Sequence, residues 1–201
     1  TVGIVNWNSG ATIMGTLESV LNQSYQPVEI WVADNHSEDG SLDKIQQIFR
    51  VNIIRNKMNI GFAAAQNQII NSVSADFYMP LNPDCILNSN YIKEMIAVLS
   101  SESSLGWVSG KLLYADPEKH FGRYEGEDYQ GKTNVIYTTG HILYHSRRIV
   151  NRGAGEIDIG QYDHNLNIFG ANGAAPVYKR EMLEDIKMGK EYFDELFFVY
   201  G

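Results

Sequence analysis

Apolar and polar positions follow two alternating patterns along the first hundred residues. Apolar runs of four to six residues are each followed by a stretch in which apolar residues recur every three or four positions. Such runs predict buried strands, and the periodic stretches predict amphipathic helices. The predicted strands are Val2–Asn6, Val28–Ala33, Val51–Ile54 and Phe77–Leu81. Four predicted helices follow these strands in turn, and their apolar faces consist of Ile13, Leu17, Val20 and Leu21; of Leu42, Ile45, Ile48 and Phe49; of Phe62, Ala65, Ile69 and Ile70; and of Ile92, Ile96 and Leu99.

This alternation predicts an α/β fold with a mostly parallel sheet flanked by helices. The second half is less regular: residues 106–170 predict short strands and loops, and Val177–Ile186 predicts a helix. No linker, low-complexity segment or internal repeat interrupts the chain. We therefore predict one domain over residues 1–201.

Polar loops follow all four predicted strands of the first half. They are Asn6–Asn8, Asp34–Asp39, Asn56–Gly61 and Asn82–Asp84. Ligands of open α/β sheets bind outside the carboxyl ends of the strands, so four polar loops at one edge predict a binding site there.

Two carboxylates of these loops have both a chemical and a structural interpretation. Asp34 can accept a hydrogen bond from a base N–H or a ribose hydroxyl, or it can simply form a turn. Asp84, with Asn82 two residues earlier and Pro83 between them, offers oxygen ligands to a hard divalent cation that shares phosphates with a substrate. The same residues also suit a turn or a helix N-cap.

Composition narrows the classes of partner and compartment. The chain has 16 Lys and Arg against 24 Asp and Glu, a net charge of −8, which argues against a nucleic-acid partner. Cys85 is the single cysteine, so no internal disulfide framework forms and a reducing compartment is favoured. No apolar run approaches the roughly 18–20 residues that cross a bilayer. We expect a cytoplasmic domain, with peripheral association at the inner face of a membrane as an alternative.

Five motifs, in order along nearly the whole chain, resemble those of family 2 glycosyltransferases. The Leu-Asn-Pro-Asp form of the fourth loop resembles the rhamnosyltransferase-like branch of that family. The motifs are Val32–Ser41, Asn56–Ala63, Leu81–Asp84, Phe169–Ala175 with Tyr178–Met182, and Phe193–Tyr200.

The resemblance implies a GT-A fold and inverting transfer of a sugar from a nucleoside diphosphate. Trp7 would stack on the base, Asp34 would hydrogen-bond it, and Asn59 and Gly61 would lie in the donor pocket. The nucleotide-sugar half would span about residues 1–100 and the acceptor half about residues 101–201.

The resemblance also implies a metal and an acceptor side. Asp84 would hold Mg²⁺ or Mn²⁺ against the diphosphate, with Asn82 beside the ribose or the metal, and Gly173 and Ala174 would lie near the acceptor. The favoured donor is dTDP-rhamnose, with UDP-sugars as the alternative. The acceptor would be a glycan or a lipid-linked glycan in cell-surface polysaccharide synthesis.

The catalytic base of the family usually belongs to a Glu-Asp pair shortly after the position matched by Tyr200. The sequence ends at Gly201, so the resemblance implies a C-terminally truncated domain with weak or missing transfer and leaves the catalytic residues unassigned. Two other functions stay open. A nucleotidyltransferase would carry a Gly-rich, Arg-containing loop after the first strand, which Asn6–Gly10 lacks, and a non-catalytic module would bind a nucleotide-sugar or a glycan without transferring it.

Overall fold

The structure is a computed structural model, and it describes residues 1–115 and 134–198. These residues form two compact units: Thr1–Val108 with the chain from Gly173 onward, and Ser109–Asn172. Part of the loop-rich region predicted for residues 106–170, and the last two residues of the Phe193–Tyr200 motif, lie outside the described residues. The single domain and its division near residue 100 stay predictions.

The described residues contain ten strands and five helices. Strands and helices alternate over the first eight elements, and six successive strands and a last helix follow. The strands are β1 (Val2–Asn6), β2 (Ile30–Asp34), β3 (Val51–Arg55), β4 (Phe77–Leu81), β5 (Trp107–Ser109), β6 (Leu112–Leu113), β7 (Ile136–Thr138), β8 (His141–Leu143), β9 (Ile149–Asn151) and β10 (Pro176–Lys179). The helices are α1 (Ile13–Leu21), α2 (Ser41–Ile45), α3 (Phe62–Ser72), α4 (Tyr91–Ser101) and α5 (Arg180–Ile186).

The first unit is built on a six-stranded sheet in the order β3-β2-β1-β4-β10-β5. β1 pairs in parallel with β2 and β4, and β2 pairs in parallel with β3. β10 pairs with β4 in the antiparallel sense, which makes the sheet mixed. All five residues of β1 are buried, as expected for a central parallel strand covered on both faces. The predicted mostly parallel sheet flanked by helices is confirmed.

Helix α3 covers the middle of the sheet. Ala65, Ile69 and Ile70 are fully buried and belong to one apolar cluster with Val5 and Ala33 of the strands. Each such aliphatic side chain larger than alanine contributes about 1.5–3 kcal/mol on burial. This packing fixes the amino end of α3 beside the carboxyl ends of β1 and β2.

Two predicted helices differ from those observed. The helix predicted through Phe49 ends at Ile45, and Phe49 is fully exposed, because β3 begins at Val51 and leaves no room for another turn. The helix predicted over Val177–Ile186 is strand β10 followed by α5. Residues 176–179 pair with β4 instead, and tertiary pairing of this kind overrides a short apolar pattern.

The second unit contains two small antiparallel pairs, β6 with β7 and β8 with β9. Its buried Arg152 donates from Nε to the Thr139 hydroxyl at 2.8 Å and from a terminal nitrogen to the Asn165 carbonyl at 2.9 Å. Arg152 therefore links the turn at Thr139 to the loop at Asn165. Within residues 1–115 and 134–198, no helix has both the length and the apolar character needed to span a bilayer.

Candidate active site at the carboxyl edge of the sheet

The strand register brings the predicted loops to one edge of the sheet. Asn6 at the end of β1 lies opposite Asp34 at the end of β2, and Asp34 lies opposite Arg55 at the end of β3. Ile4 lies opposite Leu81, the last residue of β4. The loop that begins at Asn82 therefore leaves β4 at the same edge as the other three loops.

Asp34 is held by a buried polar network. Its Oδ1 accepts a hydrogen bond from Asn6 Nδ2 at 2.7 Å, and its Oδ2 accepts one from the Ser37 N–H at 3.1 Å. Asn6 Nδ2 also reaches the Ser41 hydroxyl at 2.9 Å, and Asp34 is only 1% exposed. A carboxylate has about four lone-pair sites. Two sites of Asp34 already fix the β2–α2 loop, and any ligand contact would use those that remain.

Asn6 begins the first of the predicted polar loops, and the sequence pattern assigned it no individual role. Its side chain is fully buried, and Oδ1 accepts no hydrogen bond from the residues that the structure describes. The amide orientation is set by Asp34, because a carboxylate oxygen requires a donor at 2.7 Å.

A second network joins the loop after β2 to the loop after β3. Asn35 donates to Asn59 Oδ1 at 3.1 Å and to the Gly61 carbonyl at 3.2 Å, and Asn56 donates to Asn35 Oδ1 at 2.9 Å. Asn59 Oδ1 also accepts the Gly61 N–H at 2.9 Å. Asn59 therefore shapes the loop through its side-chain oxygen. Asn35 and Asn56, which the strand pattern placed in loops without a role, complete this network.

Trp7 is the exposed aromatic side chain at the end of β1. It is 57% exposed, while the backbone beside it is fixed: the Asn8 N–H donates to the Ser37 hydroxyl at 3.0 Å, and Asn8 Oδ1 accepts the Glu38 N–H at 2.8 Å. Asn8 has a φ of 54°, a left-handed conformation that asparagine tolerates better than most residues. The indole face of Trp7 is thus available at the edge.

The loop after β4 is a rigid turn attached to its neighbours. The Cys85 N–H donates to the Asn82 carbonyl at 3.2 Å, and the Thr16 hydroxyl donates to the Pro83 carbonyl at 2.9 Å. The Asn82 N–H donates to the Ala174 carbonyl at 2.9 Å. The structure thereby brings together Asn82 and Ala174, two residues predicted for the donor and the acceptor side.

Asp84 is exposed on this turn, beside a thiol that does not ionise readily. Burial, and then the neighbouring Asp84 carboxylate, raise the pKa of the Cys85 thiol to about 12. Gly173 is exposed, with open space where a Cβ would lie.

The side chains that could bind a metal ion at this edge suit one kind of metal site. Among residues 1–115 and 134–198, no three His, Cys, Asp or Glu side chains are grouped so that they could enclose an ion. A single exposed carboxylate instead suits Mg²⁺ or Mn²⁺, since hard cations of this type often take one or two protein carboxylates and complete their shell with substrate phosphates and water.

The model of the glycosyl transferase family 2 matches residues 1–186 of the chain. The chain belongs to this family. The match includes the strand-edge loops, Gly173 and Ala174.

Curated relatives of this family 2 chain include two bacterial enzymes. An uncharacterized glycosyltransferase of Haemophilus influenzae is 26% identical over 126 residues, which cover 61% of this chain and 39% of the relative. A poly-beta-1,6-N-acetyl-D-glucosamine synthase of Staphylococcus aureus is 29% identical over 133 residues, 65% of this chain and 32% of the relative. The matched region thus spans between about a third and two fifths of the length of these relatives.

Solved structures share the fold of this family 2 domain. The mannosyltransferase PcManGT from Pyrobaculum calidifontis, solved with GDP-Man and Mn²⁺, has a TM-score of 0.59 at 15% identity and covers 92% of this chain and 45% of its own. S. aureus TarS 1–349, solved with UDP, has a TM-score of 0.57 at 16% identity and covers 92% of this chain and 47% of its own. The predicted GT-A fold is confirmed.

Proposed function

We propose that this family 2 domain binds a nucleoside-diphosphate sugar and a divalent cation at the carboxyl edge of the sheet. It transfers the sugar to a glycan or lipid-linked acceptor in cell-surface polysaccharide synthesis, with inversion at the anomeric carbon. The observation that carries the proposal is the exposed Asp84 carboxylate on a turn fixed by Thr16 and Ala174, at the edge where β1 and β2 end.

The chemistry requires stabilisation of a departing anion. Cleavage of the sugar–phosphate bond leaves a nucleoside diphosphate whose terminal phosphate gains negative charge. A cation bound between Asp84 and the diphosphate supplies opposite charge where this charge develops. Attack by the acceptor hydroxyl on the opposite face of the sugar inverts the anomeric carbon in a single displacement.

Other residues of the chain bind the base and the rest of the donor and leave space for the acceptor. The exposed Trp7 ring stacks on the base, and Asp34 accepts an N–H of the base through a lone pair that the Asn6 and Ser37 bonds leave free. Asn59 and Gly61 shape the donor pocket. The open surface at Gly173 leaves room for the acceptor.

The favoured donor is dTDP-rhamnose, because the turn has the Leu-Asn-Pro-Asp sequence of the rhamnosyltransferase-like branch. UDP-sugars are the alternative, since thymine and uracil present the same N3–H to Asp34. The comparison proteins are consistent with nucleotide-sugar chemistry of several kinds: one was solved with GDP-Man and another with UDP-GlcNAc.

Calorimetric titration with dTDP, UDP and GDP, each with and without Mn²⁺, tests the proposal. We expect dTDP to bind best, UDP comparably or more weakly, GDP least, and every affinity to fall when Mn²⁺ is removed. The Trp7→Ala variant should weaken all three nucleotides, while replacement of the exposed Tyr25, which lies beyond α1, by alanine should weaken none. If no nucleoside diphosphate binds under either condition, the proposed function is wrong.

A further inference from the structure

Asn67 on α3 uses its whole side-chain amide to hold a distant part of the chain. Its Oδ1 accepts the N–H groups of Tyr192 and Phe193, each at 3.0 Å. Its Nδ2 donates to the Phe193 carbonyl at 2.8 Å and to a Glu195 carboxylate oxygen at 3.0 Å. An asparagine amide offers two donors and two lone pairs, and all four are used here. Asn67 is 3% exposed, so its own amide group is shielded from water, whereas its partner Glu195 is exposed.

The same stretch, which we call the 190–198 segment, follows α3 along its length. Near the end of the helix, Asn71 Nδ2 donates to the Lys190 carbonyl at 3.2 Å. At the start of the helix, the Phe62 N–H donates to the Phe198 carbonyl at 2.9 Å. The segment therefore runs antiparallel to α3 and ends where α3 begins, which is the carboxyl edge of the sheet.

Gly61 is the point where this segment meets the candidate donor site. A Cβ at Gly61 would lie 2.7 Å from the Phe198 carbonyl oxygen, closer than real side chains approach, and the φ of Gly61 is 86°. The Gly61 N–H is bound to Asn59 Oδ1, and the Gly61 carbonyl accepts from Asn35. A shift of Phe198 would therefore be transmitted to a loop predicted to line the donor pocket.

We propose that Asn67 is a positioning residue that fixes the 190–198 segment on α3 and, through the Phe198–Gly61 contact, couples the segment to the donor loop. Both the docking of the segment on α3 and the binding of a nucleotide then depend on the same conformation of the Gly61 loop. By thermodynamic linkage, each of the two therefore favours the other. The nucleotide part of this proposal rests on the proposed function. A merely structural asparagine would instead stabilise the whole unit without a separate effect on the segment or on the loop.

Hydrogen exchange measured by NMR separates these two roles, because it reports local opening amide by amide. The test variant is Asn67→Asp, which keeps the acceptor for Tyr192 and Phe193 but turns the donor toward the Phe193 carbonyl into an acceptor. The matched control is Asn22→Asp at the exposed C-cap of α1. The amides of Ile4 and Val32, in the central strands, report global unfolding.

We expect exchange at Tyr192, Phe193 and Phe62 to be at least about tenfold faster in Asn67→Asp, the scale set by unsatisfied buried hydrogen-bonding groups. Exchange at Ile4 and Val32 should rise much less, and Asn22→Asp should change none of these amides. Unchanged exchange in the segment, or an equal increase everywhere, would overturn the proposal. If Asn67→Asp does not fold, Glu195→Ala removes a single exposed partner and should speed exchange at Tyr192 and Phe193 by about two- to fivefold.

Calorimetry then tests the coupling with whichever of dTDP, UDP and GDP binds the wild type best in Mn²⁺. We expect Asn67→Asp to weaken binding at least threefold and added nucleotide to slow exchange at Phe62 in the wild type. A loosened segment with unchanged affinity would refute the coupling. If the wild type binds no nucleotide, the proposed function and the coupling both fail, whereas the exchange data still decide whether Asn67 holds the segment.

Discussion

The Asn6–Asp34 pair gives a sharp prediction about the scaffold of the site. The Asp34→Asn substitution preserves shape but replaces two acceptor oxygens with one oxygen and one NH₂ group. With Asn6 in its present orientation, one of the two partners, Asn6 Nδ2 or the Ser37 N–H, then faces a donor. Turning the Asn6 amide would restore that contact, but it would place the buried NH₂ group where Oδ1 now has no partner and would still lose the charged acceptor. Exchanging the pair, with Asn6→Asp and Asp34→Asn together, restores a donor–acceptor contact between residues 6 and 34 and leaves an oxygen for Ser37.

The size of the effect follows from burial and charge. Hydrogen bonds to charged groups contribute about 1.5–3 kcal/mol, and an unsatisfied buried group costs about 1–3 kcal/mol. Asp34 is 1% exposed and Asn6 is fully buried, so water cannot replace the lost partner. We expect Asp34→Asn to lower the free energy of unfolding by about 2–3 kcal/mol, and the double exchange to recover at least about 1 kcal/mol as a coupling energy.

Urea unfolding followed by circular dichroism measures both quantities. The control is Asp43→Asn, an exposed carboxylate in the first turn of α2, which should change the free energy of unfolding by less than about 0.5 kcal/mol. A loss below about 0.5 kcal/mol for Asp34→Asn, or a double variant no more stable than additivity predicts, would refute the inference that this carboxylate fixes the loop.

Two further predictions concern titrating groups. The carboxyl pKa of Glu184 is lowered from 4.5 to about 2 by hydrogen bonds from Lys187, Tyr192 and Arg180. The ionised Glu184 therefore stabilises the fold at pH values above its unfolded pKa, and this contribution is lost as the pH falls toward about 2. At pH 7, the Glu184→Gln variant should therefore unfold at a lower Tm than the wild type. The difference in Tm between the two proteins should shrink between about pH 4.5 and 2, and a difference that stays constant with pH would contradict this prediction. Because the pKa of Cys85 is raised to about 12, its thiol should react with a disulfide reagent at pH 8 at least about tenfold more slowly in the folded protein than in urea. Equal rates would show that the thiol is accessible and ionisable.

The strands of the site were predictable because each one coincides with a continuous run of apolar residues in the sequence. Val2–Asn6 and Phe77–Leu81 have the predicted bounds, and the polar loops after them meet at one edge because parallel strands share a direction. Helix α3 was predictable for a related reason, since Ala65 and Ile69 repeat at helical spacing and face the sheet. In these cases, the residues of the element itself carry the apolar pattern that determines whether it forms a strand or a helix.

The contacts that the sequence did not reveal join residues that are far apart along the chain. Asn67 contacts residues 125 and more positions downstream, and no local pattern encodes which partner an amide will meet. Asn6 likewise contacts Ser41 across 35 positions. The β10 strand was mistaken for helix because its state depends on pairing with β4, and the pattern of four residues cannot distinguish the two.

The most direct test of the central claim is the Mn²⁺ dependence of nucleotide affinity in Asp84→Asn. The control is Asp76→Asn, an exposed carboxylate just before β4, at the opposite end of the same strand. By calorimetry we expect Mn²⁺ to tighten binding of the preferred nucleoside diphosphate at least about tenfold, or about 1.4 kcal/mol, in the wild type and in Asp76→Asn, and to have almost no effect in Asp84→Asn. If Asp84→Asn keeps the full Mn²⁺ effect, the cation is not held by this carboxylate and the account of the site is wrong.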